Sequence, residues 1–541
     1  MTSPRSNRYL FTPLLLLVMA WRMPAQVNLT SSDLPIVVID TQGRSIVEST
    51  RIEAFMGVVD HQGSRNSMDD PFDGYNGRIA IELRGSASAA YPKKQYRFET
   101  QDSLGNNLNV ELLGLPREND WIFYGPYDDQ SLIRNVLAYN LSLQIGRYAS
   151  RTRYCELVLN DDYQGLYVLM EKIKRDRRRV DVAEMDADDT SGDSLTGGYI
   201  FKIDKSAGEN VDGWRSNMGV RYQYHYPQAD DVVQEQQDYL RDYMDEFETA
   251  MNETNFDDPQ RGYPSYIDVE SFVDHFILNE FCKNVDAYRI SAFLYKDRDS
   301  KDKLLYAGPI WDFNLSFGKA WFSEDLFVTE GWQVDYRLYR PWDGYQVPFW
   351  WEKLGHHPGF IDRVQVRWRE LRREVITTDA LFSTIDGWVD SLQEARIRNF
   401  QRWPGSEEHP YNEEIERLKE WVIGRLEWMD QQLDYDVPQQ VVGNPVSAAD
   451  DFRLYQNHPN PFNSSTAISY HLDKPARVRL LIYALDGQLV RSLVEEKQND
   501  GEKRVVWDGR NSLGHPSSSG LYLCQLFVGN RQQIIKMVLY R

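Results

Sequence analysis

Residues 304–314 read LLYAGPIWDFN, and in this stretch Asp312 follows an apolar run and precedes a loop. The alternating segments Ala292–Lys296 and Leu304–Ala307 on its N-terminal side predict a β-hairpin. Because a hairpin returns the chain beside its own start, Asp286, which precedes the first strand, should lie near Asp312. The hairpin therefore predicts two carboxylates at strand ends in one cleft.

Two such carboxylates have more than one interpretation. In a shared cleft they can hold a divalent cation and accept the proton of a hydroxyl group. Alternatively, Asp286 and Asp312 are turn-forming or capping residues, since Asp is common at both kinds of position. The residues of this stretch alone leave both interpretations open.

The region around this hairpin is β-rich in its first part and helical in its second. Alternating apolar residues predict the strands Ile79–Leu83, Gln95–Thr100, Arg153–Leu159, Gly165–Ile173 and Gly198–Ile203. Helical spacing predicts the helices Asp129–Ile145, Val232–Met251, Val269–Cys282, Ile361–Thr377, Ile385–Phe400 and Asn412–Leu433. This order indicates an α+β fold with a cleft where the two parts meet.

A glycine-containing loop, residues 83–88 (LRGSAS), follows the first of these strands. The next strand begins with Lys93, Lys94 and Arg97. A loop over the phosphates, a basic residue beside them and two acidic residues are the parts of a phosphotransferase. One glycine is a weak signal by itself, and three basic residues on a strand are also typical of a solvated surface.

Length and composition define the broad class of the protein. A chain of 541 residues is too long for one compact core and indicates two or more units. The 61 Lys and Arg against 82 Asp and Glu give a net charge of −21, which excludes a wide positive field for nucleic acid. Three distant cysteines and nine scattered histidines show neither a disulfide framework nor the ligand spacing of a zinc site.

The N-terminus has the pattern of an export signal. Arg5 and Arg8 precede the apolar stretch Tyr9–Trp21, which is short for a membrane span, so residues 1–25 are predicted to be a signal peptide. An uncleaved N-terminal anchor is the alternative. No later segment approaches the roughly 20 apolar residues of a membrane helix. We therefore expect a secreted or cell-surface protein without a membrane span in the mature chain.

The last ninety residues differ from the rest. Residues 434–451 combine several turn formers with no periodicity and are predicted to be a linker. Residues 452–541 contain short alternating runs separated by turn signals, which predict a small β-sandwich. Their 12 basic and 7 acidic residues give +5, so the chain before residue 452 carries −26.

Four motifs of this C-terminal region carry a resemblance. They are NHPNPFN at 457–463, VVWDG at 505–509, SGLY at 519–522 and KMVL at 536–539. In this order they resemble the C-terminal sorting domains of type IX secretion cargo, and equally the Ig-like repeat of flagellar hook-capping proteins. The resemblance implies a domain that export machinery recognises. An accessory sandwich that binds another partner is the alternative.

Residues 33–433 resemble the CotH kinase family, which is named after spore coat protein H. The matching stretches are LRGS at 83–86, PKKQYR at 92–97, DWI at 120–122, SLIRN at 131–135, YQGLYVLMEKI at 163–173, GGYI at 197–200, NVD at 284–286, WDFN at 311–314 and RNF at 398–400 with Trp403. The resemblance implies an atypical protein-kinase-like fold that binds ATP with Mg²⁺ or Mn²⁺. It also implies phosphorylation of serine residues in exported proteins.

The same resemblance implies roles for individual residues. Asp312 corresponds to the metal-binding Asp, and Asp286 to the catalytic-loop Asp, as base or second metal ligand. The remaining correspondences concern nucleotide contacts. They are Lys94, or alternatively Lys93, for pairing the phosphates, Arg134 and Lys172 for facing the nucleotide, and Glu171 as an alternative acidic partner of a lysine.

The sequence departs from the kinase pattern at two positions. Kinases place an Asn five residues after the catalytic Asp as a second metal ligand, and here that position is Ser291. Asn314 occupies the place of the glycine that follows Phe313. We therefore expect an exported kinase acting on Ser or Thr of secreted or surface proteins. An inactive kinase-like surface or matrix protein with an adhesive or carbohydrate-binding role is the alternative.

Overall fold

The computed structural model describes residues 27–435 and 452–539, except for 62, 207–211, 320–326, 408, 456, 458, 461, 485–488, 513 and 529–530. The chain divides into two compact units, Met1–Asp436 and Val437–Arg541. The predicted signal peptide (1–25) and nearly all of the predicted linker (434–451) lie outside the described residues. Within the described ranges, no helix is long and apolar enough to cross a membrane.

The first unit mixes strands and helices, as predicted. In chain order its strands are β1 Ser31–Ser32, β2 Ile36–Asp40, β3 Ile52–Val59, β4 Asn66–Ser67, β5 Tyr75–Arg84, β6 Gln95–Gln101, β7 Val110–Leu112, β8 Leu115–Glu118, β9 Asp120–Tyr124, β10 Thr152–Leu159, β11 Asp162–Glu171, β12 Tyr199–Ile203, β13 Gly213–Arg215, β14 Arg221–Tyr226, β15 Ala292–Lys296 and β16 Leu305–Ala307. Its helices are α1 Arg134–Gln144, α2 Gly192–Leu195, α3 Gln234–Asn252, α4 Val269–Cys282, α5 Tyr336–Tyr339, α6 Phe349–Gly355, α7 Pro358–Glu374, α8 Thr378–Ser391, α9 Gln393–Arg402 and α10 Tyr411–Gln432.

Seven strands of this unit form a closed barrel in the order β10-β11-β9-β6-β5-β3-β2. Neighbouring strands are antiparallel except for β2 and β10, which close the barrel as a parallel pair. Its interior is filled by apolar side chains, among them Met56, Ile81, Phe98 and Phe123. The sequence did not predict closure, because alternation shows which face of a strand is buried and not which strands pair.

The second layer of the unit is a five-stranded sheet in the order β13-β14-β12-β15-β16, packed with the helices. The hairpin prediction is confirmed, since β15 and β16 pair antiparallel with Leu294 opposite Ala307. Helix α4 has the predicted bounds, and the side chain of Asp268 caps it by accepting from Ser271 N at 2.7 Å. This hairpin and helix α4 lead directly to the two acidic segments.

One helix prediction was wrong. Residues 385–400 are not continuous, because α8 ends at Ser391 and α9 begins at Gln393. Leu392 caps α8 with its N–H bonded to Trp388 O, and its side chain is fully buried. No glycine or proline marks this break, so helical spacing continues across it and hides it.

A buried ion pair joins the two ends of the helical part. Glu280 on α4 and Arg425 on α10 are both inaccessible to water, and Arg425 Nη2 lies 3.4 Å from Glu280 Oε2. Glu280 also accepts from the backbone N–H of Gln333 and Val334 at 2.7 and 2.9 Å and from the hydroxyl of Tyr288 at 3.0 Å. Burial raises the pKa of Glu280 and lowers that of Arg425 to about 10.

The second unit is all-β, as predicted. Its strands are β17 Phe452–Leu454, β18 Thr466–Leu472, β19 Ala476–Ala484, β20 Leu489–Gln498, β21 Gly501–Trp507, β22 Gly520–Val528 and β23 Arg531–Leu539. They form a three-stranded sheet, β17-β18-β21, and a four-stranded sheet, β20-β19-β22-β23. Ile468 and Trp507 of one sheet share a core with Ile482 and Leu526 of the other, which makes the unit a two-sheet sandwich.

We expect Arg425→Met to lower the free energy of unfolding of the first unit by about 3 kcal/mol or more, because it leaves Glu280 buried without its cation. The matched control is Arg417→Met, at an exposed position on the same helix. It should change the free energy of unfolding by less than about 0.5 kcal/mol. Urea unfolding followed by tryptophan fluorescence measures this, since 14 of the 15 tryptophans precede residue 452. Equal midpoints for the two variants would contradict a structural role for the pair.

Candidate functional site

Asp286 lies in the loop that follows α4. The helix ends at Lys283, whose left-handed backbone (φ 45°) turns the chain away from the helix axis. Asp286 N then donates to Asn284 Oδ1 at 3.3 Å, and Asp286 Oδ1 accepts from Arg289 Nη2 at 3.0 Å. The carboxylate is 14% exposed. Its position is therefore fixed by the loop and by one buried arginine.

Asp312 lies five residues after β16, in a segment fixed by helix α1. Its backbone has a positive φ of 63°, a conformation that is strained for residues other than glycine and recurs at functional sites. Asp312 N donates to the hydroxyl of Tyr139 at 3.1 Å, and Phe313 N donates to Asn135 Oδ1 at 2.9 Å. Two side chains of α1 thus hold the strained backbone in place.

Both aspartates line one cavity of about 320 Å³, as the hairpin predicts. The barrel, the five-stranded sheet and the two loops all contribute to its walls. The charged residues among them are Glu48, Arg84, Arg97, Asp128, Lys172, Lys202, Asp204, Lys205, Asp286 and Asp312. The uncharged residues include Ser86, Ser88, Tyr91, Tyr124, Tyr139, His225, Ser291, Phe293, Trp311 and Asn314.

The acidic side chains of the cavity repel one another. The enclosure of Asp312 in the cavity, followed by the charge of Asp286, raises the pKa of Asp312 to about 6, although water still reaches its carboxylate. Arg84 and Lys205 oppose this shift. Burial also raises the pKa of Asp286, against the charges of Arg289 and Lys205. A cluster of acidic side chains of this kind is stabilised by a bound cation, because the positive charge reduces the repulsion among them.

The cavity also presents cations without a close carboxylate partner among the described residues, although the charge of Lys172 lowers the pKa of Asp120. Among the described residues, no carboxylate oxygen lies within 4.0 Å of the ammonium groups of Lys172 or Lys205. By contrast, Lys202 Nζ lies 2.8 Å from Asp204 Oδ2. His225 is neutral at physiological pH, because burial lowers its pKa to about 4. Lys172 and Lys205 are therefore available to an anionic ligand.

Three of the basic candidates lie outside the walls of this cavity. Lys94 Nζ donates to Ala89 O at 2.8 Å. Lys93 is fully buried and donates to Leu166 O and to Asn399 Oδ1, and burial lowers its pKa well below the usual value. Arg134 is buried between Asp129 at 2.7 Å and Glu414 at 2.8 Å. In the structure these three side chains contact protein groups and do not line the cavity.

Glu171 also differs from its expected role as the partner of a lysine. Its carboxylate is fully buried and pairs with Arg151 at 2.8 Å and Arg179 at 3.3 Å. Lys172, the first residue after β11, lines the cavity instead. The alternation of side chains along an extended chain separates the two residues.

Sequence reasoning missed several polar residues of the site, and three of them show why. Asp204 and Lys205 follow the apolar strand β12, which is the same pattern that singled out Asp312. Asp128 lies in the loop after β9, and its Oδ2 accepts from Asn314 Nδ2 at 2.9 Å. The end of β12 carried a usable signal, whereas nothing in the sequence around Asp128 connects it with Asn314.

The carboxylates suit a metal that arrives with its ligand. Within the described part of the chain, no group of three or more His, Cys, Asp or Glu side chains is arranged to hold a metal ion. Mg²⁺ is commonly bound by one or two carboxylates together with substrate phosphates and water. Asp286 and Asp312 fit that donor set, and the cations beside them fit the phosphates.

We expect Asp312→Asn to raise the melting temperature at about pH 8 and to have little effect at about pH 4. A carboxyl whose pKa is raised in the folded state favours folding at low pH, and this contribution is lost as pH rises through the folded pKa. Asparagine cannot ionise, so it removes this dependence of stability on pH. The rise in melting temperature is small because water screens the charge of Asp312. Thermal unfolding at both pH values measures it, with Asp390→Asn on α8 as the exposed control. A lower melting temperature of Asp312→Asn at the higher pH would contradict the assigned repulsion.

Three solved structures that match parts of the chain are distant in sequence. Dimeric latent PorU from Porphyromonas gingivalis is 23% identical over 17% of this chain and 10% of its own, with a TM-score of 0.15. PorZ, a surface component of the type IX secretion system of the same organism, is 20% identical over 16% and 11%, with a TM-score of 0.13. The DNA glycosylase AlkC from Pseudomonas fluorescens is 12% identical over 35% and 52%, with a TM-score of 0.14.

The chain thus spans about half or less of the length of each of these structures. No curated protein matches the chain. Two family models do match it. The FlgD Ig-like domain matches residues 460–528, within the all-β second unit. The CotH kinase protein model matches residues 81–429, which contain both aspartates of the cavity and nearly two thirds of the sequence. The chain therefore belongs to the CotH kinase family.

Proposed function

We propose that this protein is an exported kinase that transfers the γ-phosphoryl group of ATP to Ser or Thr hydroxyls of secreted or surface proteins. The observation that carries the proposal is the convergence of Asp286, Asp312, Lys172 and Lys205 on one cavity. Acidic groups for a metal and cations for phosphates are required side by side in phosphoryl transfer. The family match to a kinase protein supports the same reaction class.

The residues of the cavity divide into two groups by charge. Asp312, with Asp286 nearby, would hold Mg²⁺ or Mn²⁺, and Lys172, Lys205 and Arg84 would contact the phosphates of ATP. When bound, the metal nucleotide supplies the phosphoryl group and neutralises part of its charge. Apolar and aromatic walls from Tyr124, Phe293 and Trp311 exclude water from the ligand.

Asp286 is the candidate base for the acceptor hydroxyl. Arg289 donates to its Oδ1, and among the described residues Oδ2 accepts no hydrogen bond from protein. Burial raises the pKa of Asp286, which increases the basicity of its carboxylate, while Arg289 and Lys205 favour the ionised form. The ionised side chain can therefore orient the hydroxyl and take up its proton.

The kinase-like fold is part of the proposal. The connection between β5 and β6, residues 85–94, contributes Gly85, Ser86 and Ser88 to the cavity and resembles a phosphate-covering loop. Ser291, at the position of the usual metal-binding Asn, also lines the cavity, and its N–H donates to Asp204 Oδ1 at 3.3 Å. Asp204 thus places a carboxylate next to Ser291, the position at which kinases have an Asn whose amide oxygen binds the metal.

Export is proposed from the two ends of the chain. Residues 1–25 have the pattern of a signal peptide, and the second unit has the motifs of a type IX sorting domain. The FlgD Ig-like match fits a small delivery domain and fits an accessory sandwich equally well. The export machinery would be the partner of this unit, and secreted or surface proteins the partners of the first.

We expect ATP with Mn²⁺ to stabilise the wild type by about 2.7 kcal/mol at roughly 100-fold excess over the dissociation constant. Asp312→Ala should abolish this stabilisation, whereas Asp286→Ala should retain most of it and lose phosphate transfer. Asp390→Ala, exposed on α8, is the control for a lost surface charge. Thermal unfolding with the nucleotide and incorporation of labelled phosphate measure the two effects. A wild type that neither binds ATP nor autophosphorylates would favour the inactive surface protein instead.

A second experiment separates the two sets of basic residues. Lys172→Met and Lys205→Met should each weaken ATP binding about tenfold or more, because each removes a cation that faces the ligand. Lys94→Met is the matched control, since its ammonium group donates to Ala89 O and not to the cavity. Titration of ATP with Mn²⁺ by calorimetry measures the constants. Loss of binding only in Lys94→Met would restore the assignment made from the sequence.

A further inference from the structure

An exposed apolar surface adjoins the loop of Asp286. Sixteen large apolar side chains are exposed among the described residues, and four of them lie within residues 338–345. They are Leu338 at 75%, Tyr339 at 48%, Trp342 at 74% and Tyr345 at 38% exposure, and we call them the docking surface. Exposed apolar side chains that form one patch mark interaction sites, and these four are close together in sequence.

The docking surface is connected with Asp286 through Arg289. The guanidinium of Arg289 donates to Asp286 Oδ1 at 3.0 Å, to Tyr345 O at 3.2 Å and to Asp343 Oδ2 at 3.5 Å. It lies 4.0 Å from the ring of Tyr336, and its side chain is 3% exposed. One buried cation therefore joins the candidate base to the segment that carries the docking surface.

The same segment also reaches the basic wall of the cavity. The hydroxyl of Tyr345 accepts from Ser206 N at 3.3 Å, and Ser206 follows Lys205, which lines the cavity. Asp343, between the two most exposed residues and Tyr345, accepts from the hydroxyl of Tyr336 at 2.6 Å and from Tyr345 N at 2.8 Å. Tyr345, one of the four residues of the docking surface, is thus connected both with Arg289, which binds Asp286, and with the residue that follows Lys205.

We propose that the docking surface binds the acceptor polypeptide by an apolar side chain close in sequence to the phosphorylated Ser or Thr. This inference rests on the proposed function, since it names the substrate feature which that same site selects. The polypeptide must bring its hydroxyl to Asp286, and the docking surface is the exposed apolar area that Arg289 links to that residue. Four side chains are too few for a stable dimer interface, which usually takes about 20–30 residues a side.

The test uses the full chain and a Ser-centred peptide library in which one position at a time is fixed as Leu, Phe, Gln, Asp or Lys. Wild type should select Leu or Phe at one position near the serine. The double variant Leu338→Ala/Trp342→Ala should lose this selection and raise KM for the selected peptide about tenfold, with kcat unchanged. Stabilisation by ATP with Mn²⁺ should equal that of wild type, since neither residue lines the cavity.

The matched control is Val366→Ala/Ile397→Ala, which removes two side chains of 55% and 51% exposure on α7 and α9. It should keep the selection of wild type. Phosphorylation without any apolar preference, or a preference that survives Leu338→Ala/Trp342→Ala, overturns the docking surface and leaves the proposed function intact. A changed oligomeric state of that variant, or a changed affinity for oligosaccharides, assigns the surface to a second copy or a glycan and also overturns it. A wild type without nucleotide-dependent stabilisation or transfer overturns both proposals.

Discussion

The buried carboxylate of Glu280 is the constraint on which the helical part of the first unit depends. It receives hydrogen bonds from Gln333 N, Val334 N and the Tyr288 hydroxyl, and an ion pair from Arg425. These donors come from the segment before α5, the loop of Asp286 and helix α10. A charge without access to water tolerates little displacement of its partners, so one side chain fixes three separate segments relative to α4.

The consequence for the cavity is that repulsion can be sustained there. The charge of Asp286 disfavours the ionised form of Asp312, and the charges of Asp204 and Asp343 disfavour that of Asp286. The frame around Glu280 holds one loop, and Asn135 and Tyr139 on α1 hold the other. This repulsion costs some stability, and the contacts of the frame and of α1 hold the two loops in place against it.

Much of this arrangement follows from short-range patterns in the sequence. The hairpin β15–β16 and helix α4 are encoded by local alternation and helical spacing, and they suffice to bring the loops of Asp286 and Asp312 together. The family likeness named the same two residues. Asp204 and Lys205 follow a predicted strand in the same pattern as Asp312, but only the pairing of β12 with β15, which joins distant parts of the chain, brings that strand end to the cavity. Lys93 and Lys94 were candidates by their charge and by the family likeness, and neither reveals that Lys93 points into the protein interior.

Closure of the barrel could not be predicted from local sequence patterns, because it depends on pairing between residues that are far apart in the chain. Ile36 of β2 pairs with Glu156 of β10, 120 positions later. Until β10 is available, the edge of β2 that faces it has unpaired N–H and C=O groups and can pair with another chain. Closing so large a loop is also slow. During synthesis the N-terminus appears first, so the chain carries an open sheet edge until those 120 positions have followed. In that interval a binding partner, or a low concentration of identical chains, would be needed to prevent aggregation.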